Sequence, residues 1–415
     1  MMTKKTSEKP KPLVVLLVFF FFALLHQADR FLIGPLTSKI MDEFSINEAQ
    51  MGLAISSSII VAGILYPIWG YLSDRFNRAK LIALSSAIWG ITTWFSAIAG
   101  TYRIFVITRA STGIDDAAYP GVYSLISDYF SPAFRSRVFS VLKMTYSFGY
   151  ILGAVFATTF GAYFGWRKVF YLTGAFGIIF ALLILSIVRD VPRGASEHKT
   201  SVEKMTFSKV KEIVKKKTLL ALYAQGFFAV FPINIITFWL FRYLEVERGL
   251  TGGNLVFVTA IAVSSIGFGI PVSGILGDKM FMKDKRGRLK AGFLTFVGSI
   301  FLIAAILTPV KYFTHFIILV SIGCFFSSFA TPNVAAAISD VSMPEARSTA
   351  LAIQSFIETL GSALSPTIAG IIAYRTNLTF TFVSVLSASS IFWAIFFLIA
   401  IKNIPHDLEE GIKSF

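Results

Sequence analysis

The chain has 415 residues, 55% of them apolar and 15% charged, with a formal net charge of +15. Soluble domains carry about 25% charged residues, and a mean hydropathy of +0.71 is too apolar for a water-exposed exterior. These figures exclude disorder, a collagen repeat, a disulfide-framed secreted domain and most soluble enzymes. In a soluble protein such basicity suggests nucleic acid. Here no basic stretch is interleaved with aromatics outside the apolar runs, so the Lys and Arg excess is assigned to cytoplasmic loops and anionic headgroups, and no nucleic-acid partner is expected.

In chain order, a basic tail over residues 1–12 leads into apolar runs at 13–38, 48–72, 80–100, 103–128, 136–161 and 168–189. A polar, Lys-rich stretch at 190–217 follows, then runs at 218–242, 252–277, 289–309, 313–339, 348–374 and 378–401, and a tail over 402–415. Each run reaches the roughly 20 residues of a membrane-spanning helix. The runs are too long and continuous for barrel strands, and a helix satisfies its own backbone groups in lipid. The expected fold class is an all-α membrane protein of twelve transmembrane helices. It divides into an N-terminal six-helix bundle (13–189), a cytoplasmic basic linker (190–217) and a C-terminal bundle (218–401). The basic start and the run Leu13–Leu25 resemble a signal peptide, but no small residue stands three before a cut near His26-Gln27-Ala28, so the segment is expected to stay. With the N-terminus inside, inner segments hold 27 Lys and Arg and outer loops eight. That bias places both termini in the cytoplasm of a multi-pass protein, expected in the cell membrane.

The two halves echo each other. Gly70-x-Leu72-x-Asp74 returns as Gly274-x-Leu276-x-Asp278, 204 residues on. Ile126-Ser127-Asp128-x-x-x-Pro132-x-x-Arg135-Ser136 returns as Ile338-Ser339-Asp340-x-x-x-Pro344-x-x-Arg347-Ser348, 212 residues on, and Gly149 and Gly361 keep that offset. A duplicated six-helix unit with a central cavity is what a rocking transporter needs.

Gly70-Tyr71-Leu72-Ser73-Asp74-Arg75-Phe76-Asn77-Arg78-Ala79-Lys80 resembles the signature between the second and third helices of the major facilitator superfamily. Asn77 stands for that signature's second Gly and is expected to accept positive φ. Arg109-x-x-x-Gly113 resembles the family's fourth-helix motif, and Gly165-Trp166-Arg167-x-x-Phe170 its start of helix six. Asp29-Arg30-Phe31, Ala117-Ala118-Tyr119 and Asp128 with Arg135-Ser136-Arg137 resemble spinster-like transporters, which move lipids or other amphiphilic anions; Asp116 stands where those have Glu. Asp29-Arg30 and Tyr119-Pro120-Gly121 equally resemble the anion:cation symporters of organic acids. The resemblance implies a major facilitator fold, and a gating role for the loop charges Asp74, Arg75, Arg78, Asp128, Arg135, Asp278 and Arg347. Asp74 would sit at the start of helix eleven, where the helix dipole favours a carboxylate. Arg75 and Arg78 would pair with acids such as Asp128.

Ionisable groups inside spans are costly and mark function. Here they are His26, Asp29, Arg30, Arg109, Asp115, Asp116, Lys143 and Glu358. His26, Asp29 and Arg30 share one helical arc of about 100°, and Arg109 and Asp116 fall within about 20° of each other, with Asp115 turned away. Guanidinium grips carboxylate or phosphate with paired hydrogen bonds, so Arg30 and Arg109 are the candidate anion binders, with His26, Tyr119 and Lys143. Asp29, in contact with Arg30 or Arg109, is the leading proton-coupling candidate, with Asp116 and Glu358 in reserve. A closed salt-bridge network that holds the bundle together is the competing reading. Phe227, Phe228, Phe231, Trp239 and Phe241 crowd helix seven, either as an apolar cavity wall or facing lipid.

His-Glu-x-x-His, a Cys pair and a Walker loop are missing, so enzyme chemistry, a metal site and ATP drive are not expected, and no cofactor is required. The expected function is secondary active transport of a small organic or amphiphilic anion, proton-coupled, by a monomer in the bilayer. A lysolipid, lipid or multidrug exporter of the same fold is the alternative, and a non-transporting membrane sensor a distant one.

Overall fold

The computed structural model describes residues 11–116, 118–130, 132–192, 216–342 and 347–413. The elements, all helical, are α1 (Pro12–Phe31), α2 (Ile33–Phe44), α3 (Glu48–Arg75), α4 (Arg78–Ile98), α5 (Tyr102–Ser111), α6 (Gly113–Asp116), α7 (Tyr119–Tyr129), α8 (Pro132–Phe164) and α9 (Trp166–Ile187). They continue as α10 (Lys217–Val246), α11 (Gly253–Phe281), α12 (Gly287–Gly292), α13 (Thr295–Leu307), α14 (Phe313–Ser327), α15 (Ala330–Val341), α16 (Arg347–Arg375) and α17 (Leu378–Lys413). Most of the 190–217 linker lies outside the described residues, and α17 continues through most of the 402–415 tail.

Eleven helical segments among the described residues are long and apolar enough to cross a membrane. The twelfth expected span, 103–128, is broken into α5, α6 and α7. The causes are local. A Cβ on Gly113 would stand 2.1 Å from the Ser58 carbonyl oxygen, so the backbones touch there. Thr112 turns its hydroxyl back onto the Arg109 carbonyl, at 2.7 Å, which bends a helix. Pro120 then removes a backbone donor. The repeat carries the same break: at the 212 offset Asp116 falls on Ser328, in the gap between α14 and α15.

The described residues form two compact units, 11–36 with 57–192 and 37–56 with 216–413. The division does not follow chain order, because 37–56 belongs with the second unit.

In the first unit, α4 and α9 approach through glycines. A Cβ on Gly177 would meet the Gly90 nitrogen at 2.6 Å, and Ser86 donates to the Gly177 carbonyl at 2.7 Å. Small residues let helices close to this distance, where interhelical hydrogen bonds form. On the other side of α1, a Cβ on Gly153 would stand 2.5 Å from the Ala28 carbonyl, which seats α1 against α8.

The second unit packs α10 against α16 and α17. A Cβ on Gly361 would stand 2.3 Å from the Phe227 carbonyl. Phe231, Trp239 and Phe241 are buried, so these three do not face lipid, and the partly buried Phe228 stacks on Phe392 and Phe396. Arg242 fastens the 37–56 strap, donating to Ser38 at 2.9 Å and to Glu48 at 3.1 Å. Ser38 donates in turn to Glu245, and Thr367 to Ser56.

Candidate functional site

The charged residues expected inside the membrane do meet, in the first unit. The α4–α9 glycine contact brings Trp89, Thr93 and Thr173 around Asp29. The carboxylate accepts from the Trp89 indole N–H at 3.0 Å and from the hydroxyls of Thr93 at 3.2 Å and Thr173 at 2.5 Å. The expected contact with Arg30 or Arg109 is not made: among the described residues no guanidinium lies within 4.0 Å of Asp29. Three neutral donors fill the place where a cation was anticipated.

Arg30 instead points to Asp116, its NH1 3.9 Å from Oδ1. His26 lies 3.7 Å from the same oxygen and hydrogen-bonds Asp115 at 2.7 Å. Asp115 was expected to turn away from Arg109 toward a neighbouring helix. That neighbour is α1, which Asp115 meets at His26. Tyr119 packs its ring on that of His26, with centroids 5.4 Å apart.

Arg109 is buried and its guanidinium lies 5.8 Å over the Phe170 ring. It makes no ion pair with any described residue, and its Nε has no partner. The carboxylates of Asp29, Asp116 and Asp115 stand near it without closing a direct ion pair. Lys143 is exposed on α8.

The loop charges divide. Arg78 is buried and bonds Asp128 at 2.5 Å, Asp190 at 3.1 Å and the Val191 carbonyl at 2.6 Å. Arg75 lies over the Tyr71 ring, 4.4 Å from its centroid, and pairs with no acid among the described residues. In the second unit Arg288 repeats the pattern, bonding Asp278 at 3.1 Å and also Asp340. The side chains of Asp74, Arg135 and Arg347 lie outside the described residues. Asn77 does not take positive φ as expected: its φ is −66°, and its side chain caps α4 by accepting from the Lys80 N–H. The Asn was thus a helix cap.

Glu358 is in the second unit. Gln354 donates to it at 2.7 Å, and it lines a cavity of about 180 Å³ with Phe228, Thr295, Ser327, Ser390 and Trp393. The Ser390 hydroxyl and the Trp393 indole N–H are buried without a partner.

Sequence reasoning missed Trp89, Thr93 and Thr173. Each is a neutral polar residue in an apolar run; their relation to Asp29 exists only once α1, α4 and α9 are packed. It also missed Arg248, which is buried, stacks 4.2 Å over Phe316 and donates to the Ala305 and Ile306 carbonyls.

The broken fourth span, the duplicated loop charge clusters and the buried charges of α1 and α5–α7 define a duplicated, polytopic helical membrane protein. The family profile of the Major Facilitator Superfamily matches residues 19–326 and 281–413, and the chain belongs to that superfamily. Among curated relatives, protein spinster homolog 1 of Xenopus tropicalis is 28% identical over 245 residues, 56% of this chain and 46% of that protein. The chain thus spans less than half the length of that relative. The Homo sapiens homolog is 27% identical over 392 residues, covering 87% of this chain and 73% of its own. The hexuronate transporter of Bacillus subtilis (strain 168) is 24% identical over 66% of each chain. Among solved structures, a bacterial homolog to the human lysosomal transporter Spinster superposes with a TM-score of 0.81 at 22% identity, over 98% of this chain and 99% of that one. The nucleoside transporter NupG gives 0.73 at 13% identity, over 93% and 99%.

Proposed function

We propose that the protein is a secondary active transporter that moves a small organic or amphiphilic anion across the membrane by rocking-bundle alternating access, coupled to protons. The carrying observation is Arg109, a buried guanidinium that makes no direct ion pair with any described residue. A fixed cation in a water-poor site favours an entering carboxylate or phosphate, which it grips with paired hydrogen bonds. Arg30, already near Asp116, is the second anion binder, with Tyr119 and His26 beside it. The proton sits in the same buried cluster, where three carboxylates face two guanidinium groups; Glu358 is the corresponding buried acid of the second unit. The family membership and the hexuronate transporter among the relatives support an organic acid. Spinster relatives, and the aromatic cavity beside Glu358, favour a lysolipid as the second reading. In this proposal both termini are cytoplasmic, Lys143 contacts substrate from α8, and Asp74, Arg75, Asp278, Arg135 and Arg347 act as gating charges.

The test is uptake of organic acids, neutral sugars and lysolipids into proteoliposomes, with and without a pH gradient, by wild type and Arg109→Leu. The expected result is accumulation of acids or lysolipids that is lost in the variant. Equal uptake of a neutral sugar by both proteins would refute the reading.

A further inference from the structure

We propose that His26 and Asp115 are the proton-carrying couple of this cluster, and that Asp29 is a structural anchor. This rests on the proton-coupled reading above and assigns its chemistry to two residues.

Asp29 is poorly placed to carry a proton. Both of its oxygens already accept hydrogen bonds. The Trp89 indole N–H is donor only and cannot turn to accept. A carboxylate in that setting holds α1, α4 and α9 together.

The couple one turn earlier on α1 is different. His26 is 4% exposed and Asp115 5%. Their shared bond uses Nε2 of the ring and Oδ2 of the acid. The other two polar atoms, Nδ1 of His26 and Oδ1 of Asp115, are buried with no hydrogen-bond partner. Buried polar atoms are nearly always paired, and the exceptions ask for an explanation. Here the vacant position is where a proton goes. A neutral imidazole that donates through Nε2 leaves Nδ1 as an acceptor with a lone pair that no donor uses. Protonation at Nδ1 makes the imidazolium, and its charge falls directly on the Asp115 carboxylate.

The ring cannot swing away to find water. Phe22, Trp89 and Tyr119 pack around it at centroid distances of 5.8, 5.1 and 5.4 Å. The charged and titratable groups facing the couple are Asp29 and Arg30 from α1, Arg109 from α5, Asp116 from α6 and Tyr119 from α7. Tyr66 of α3 and Tyr146 of α8 stand near Arg30. The formal charge of this set, with Asp115, is −1 when His26 is neutral and zero when it is protonated. Binding one monovalent anion at Arg109 returns the protonated cluster to −1. One proton taken up with one monoanion therefore leaves the cluster's charge as it began, which makes electroneutral symport of one proton per monoanion the favoured cycle.

The ligand atoms of His26, Asp115 and Asp116 also lie within 4.8 Å of one another, the spacing of a metal site. Arg30 and Arg109 beside it oppose a divalent cation, and a proton answers the charge count without that repulsion.

The experiment uses the full chain in proteoliposomes with an entrapped pH dye and an acid identified in the uptake panel. Wild type is expected to take up one proton per monoanion and to accumulate it about tenfold per pH unit of gradient. Asp115→Asn should keep anion exchange at zero gradient, carry no proton, and show an accumulation ratio of one; His26→Gln should carry no proton with whatever exchange it retains. Asp29→Asn should melt earlier than wild type but keep the wild-type proton-to-anion ratio. If wild type is coupled and His26→Gln remains so, this assignment alone is wrong. Loss of coupling in Asp29→Asn, with His26→Gln unaffected, overturns it in favour of Asp29. If wild type accumulates the acid with no proton movement, the proton-coupled reading itself falls, and this assignment with it. Saturable Mn²⁺ or Zn²⁺ binding by wild type that His26→Gln abolishes would replace the proton with a metal.

Discussion

Replacing Arg78 with Met isolates what the buried loop cluster contributes. Arg78 is 1% exposed, and its guanidinium bonds Asp128, Asp190, Ser124 and the Val191 carbonyl. Methionine fills much of the same volume, so the cost is electrostatic rather than steric. The Asp128 side chain is 7% exposed and that of Asp190 18%. Without the cation two carboxylates face each other in a poorly hydrated site. Removing one partner of a buried pair costs about 3–5 kcal/mol. Asp190 keeps the Arg78 backbone N–H at 2.7 Å and is partly hydrated, so the lower end, about 3 kcal/mol, is expected. That is about a 150-fold loss in the folding equilibrium. Unfolding in SDS followed by tryptophan fluorescence measures it. The triple variant Arg78→Met/Asp128→Asn/Asp190→Asn removes the repulsion and should recover about half of the loss. Arg78→Lys keeps the charge but lacks the planar fork, and should fall between. A single variant within about 0.5 kcal/mol of wild type, or a triple variant no better than the single, would refute the reasoning.

Gly113→Ala places a methyl carbon 2.1 Å from the Ser58 carbonyl oxygen; a loss of at least about 2 kcal/mol is expected, read as a lower melting temperature and yield. Asp74→Asn and Asp278→Asn should slow exchange at least severalfold with little change in equilibrium substrate affinity; loss of binding at normal expression would show that these loop charges do not gate. Cysteines at Lys204 and Leu250, introduced in a Cys324→Ser background, should label from opposite sides of the membrane, 204 from within; exclusive outside labelling at 204 would invert the topology.

Helix number and placement were legible in the sequence because apolar length is a local property. The break in the fourth span was not, because Gly113 breaks the helix only in company with Ser58 on a neighbouring helix. The Arg78–Asp128 pair was read correctly from the loop signature. Asp190 was missed as its third member, since it begins a stretch that composition marks only as linker. Helical-wheel arithmetic grouped His26, Asp29 and Arg30 well and turned Asp115 from Arg109 toward a neighbouring helix, which is α1; it could not single out His26 as the partner. The Asp29 environment shows the general difficulty. Its partners lie 60 to 144 residues away and are all uncharged, so charge pairing, the rule available from sequence, pointed to the wrong ones.

The strap over 37–56 has a consequence for chimeras. A gene cut in the basic linker separates two apparently equal halves, but the C-terminal fragment leaves behind the segment that supplies Glu48 and Ser38 to Arg242 and Ser56 to Thr367. A Cβ on Gly370 would stand 2.3 Å from the Glu48 carbonyl, so the strap also fills a groove that the fragment would expose. Exchanges between relatives that join at the linker therefore pair a strap from one parent with a bundle from the other. The compatible module is discontinuous: residues 37–56 must travel with 216–413, and a chimera built on that boundary keeps the Arg242 and Thr367 contacts within a single parent.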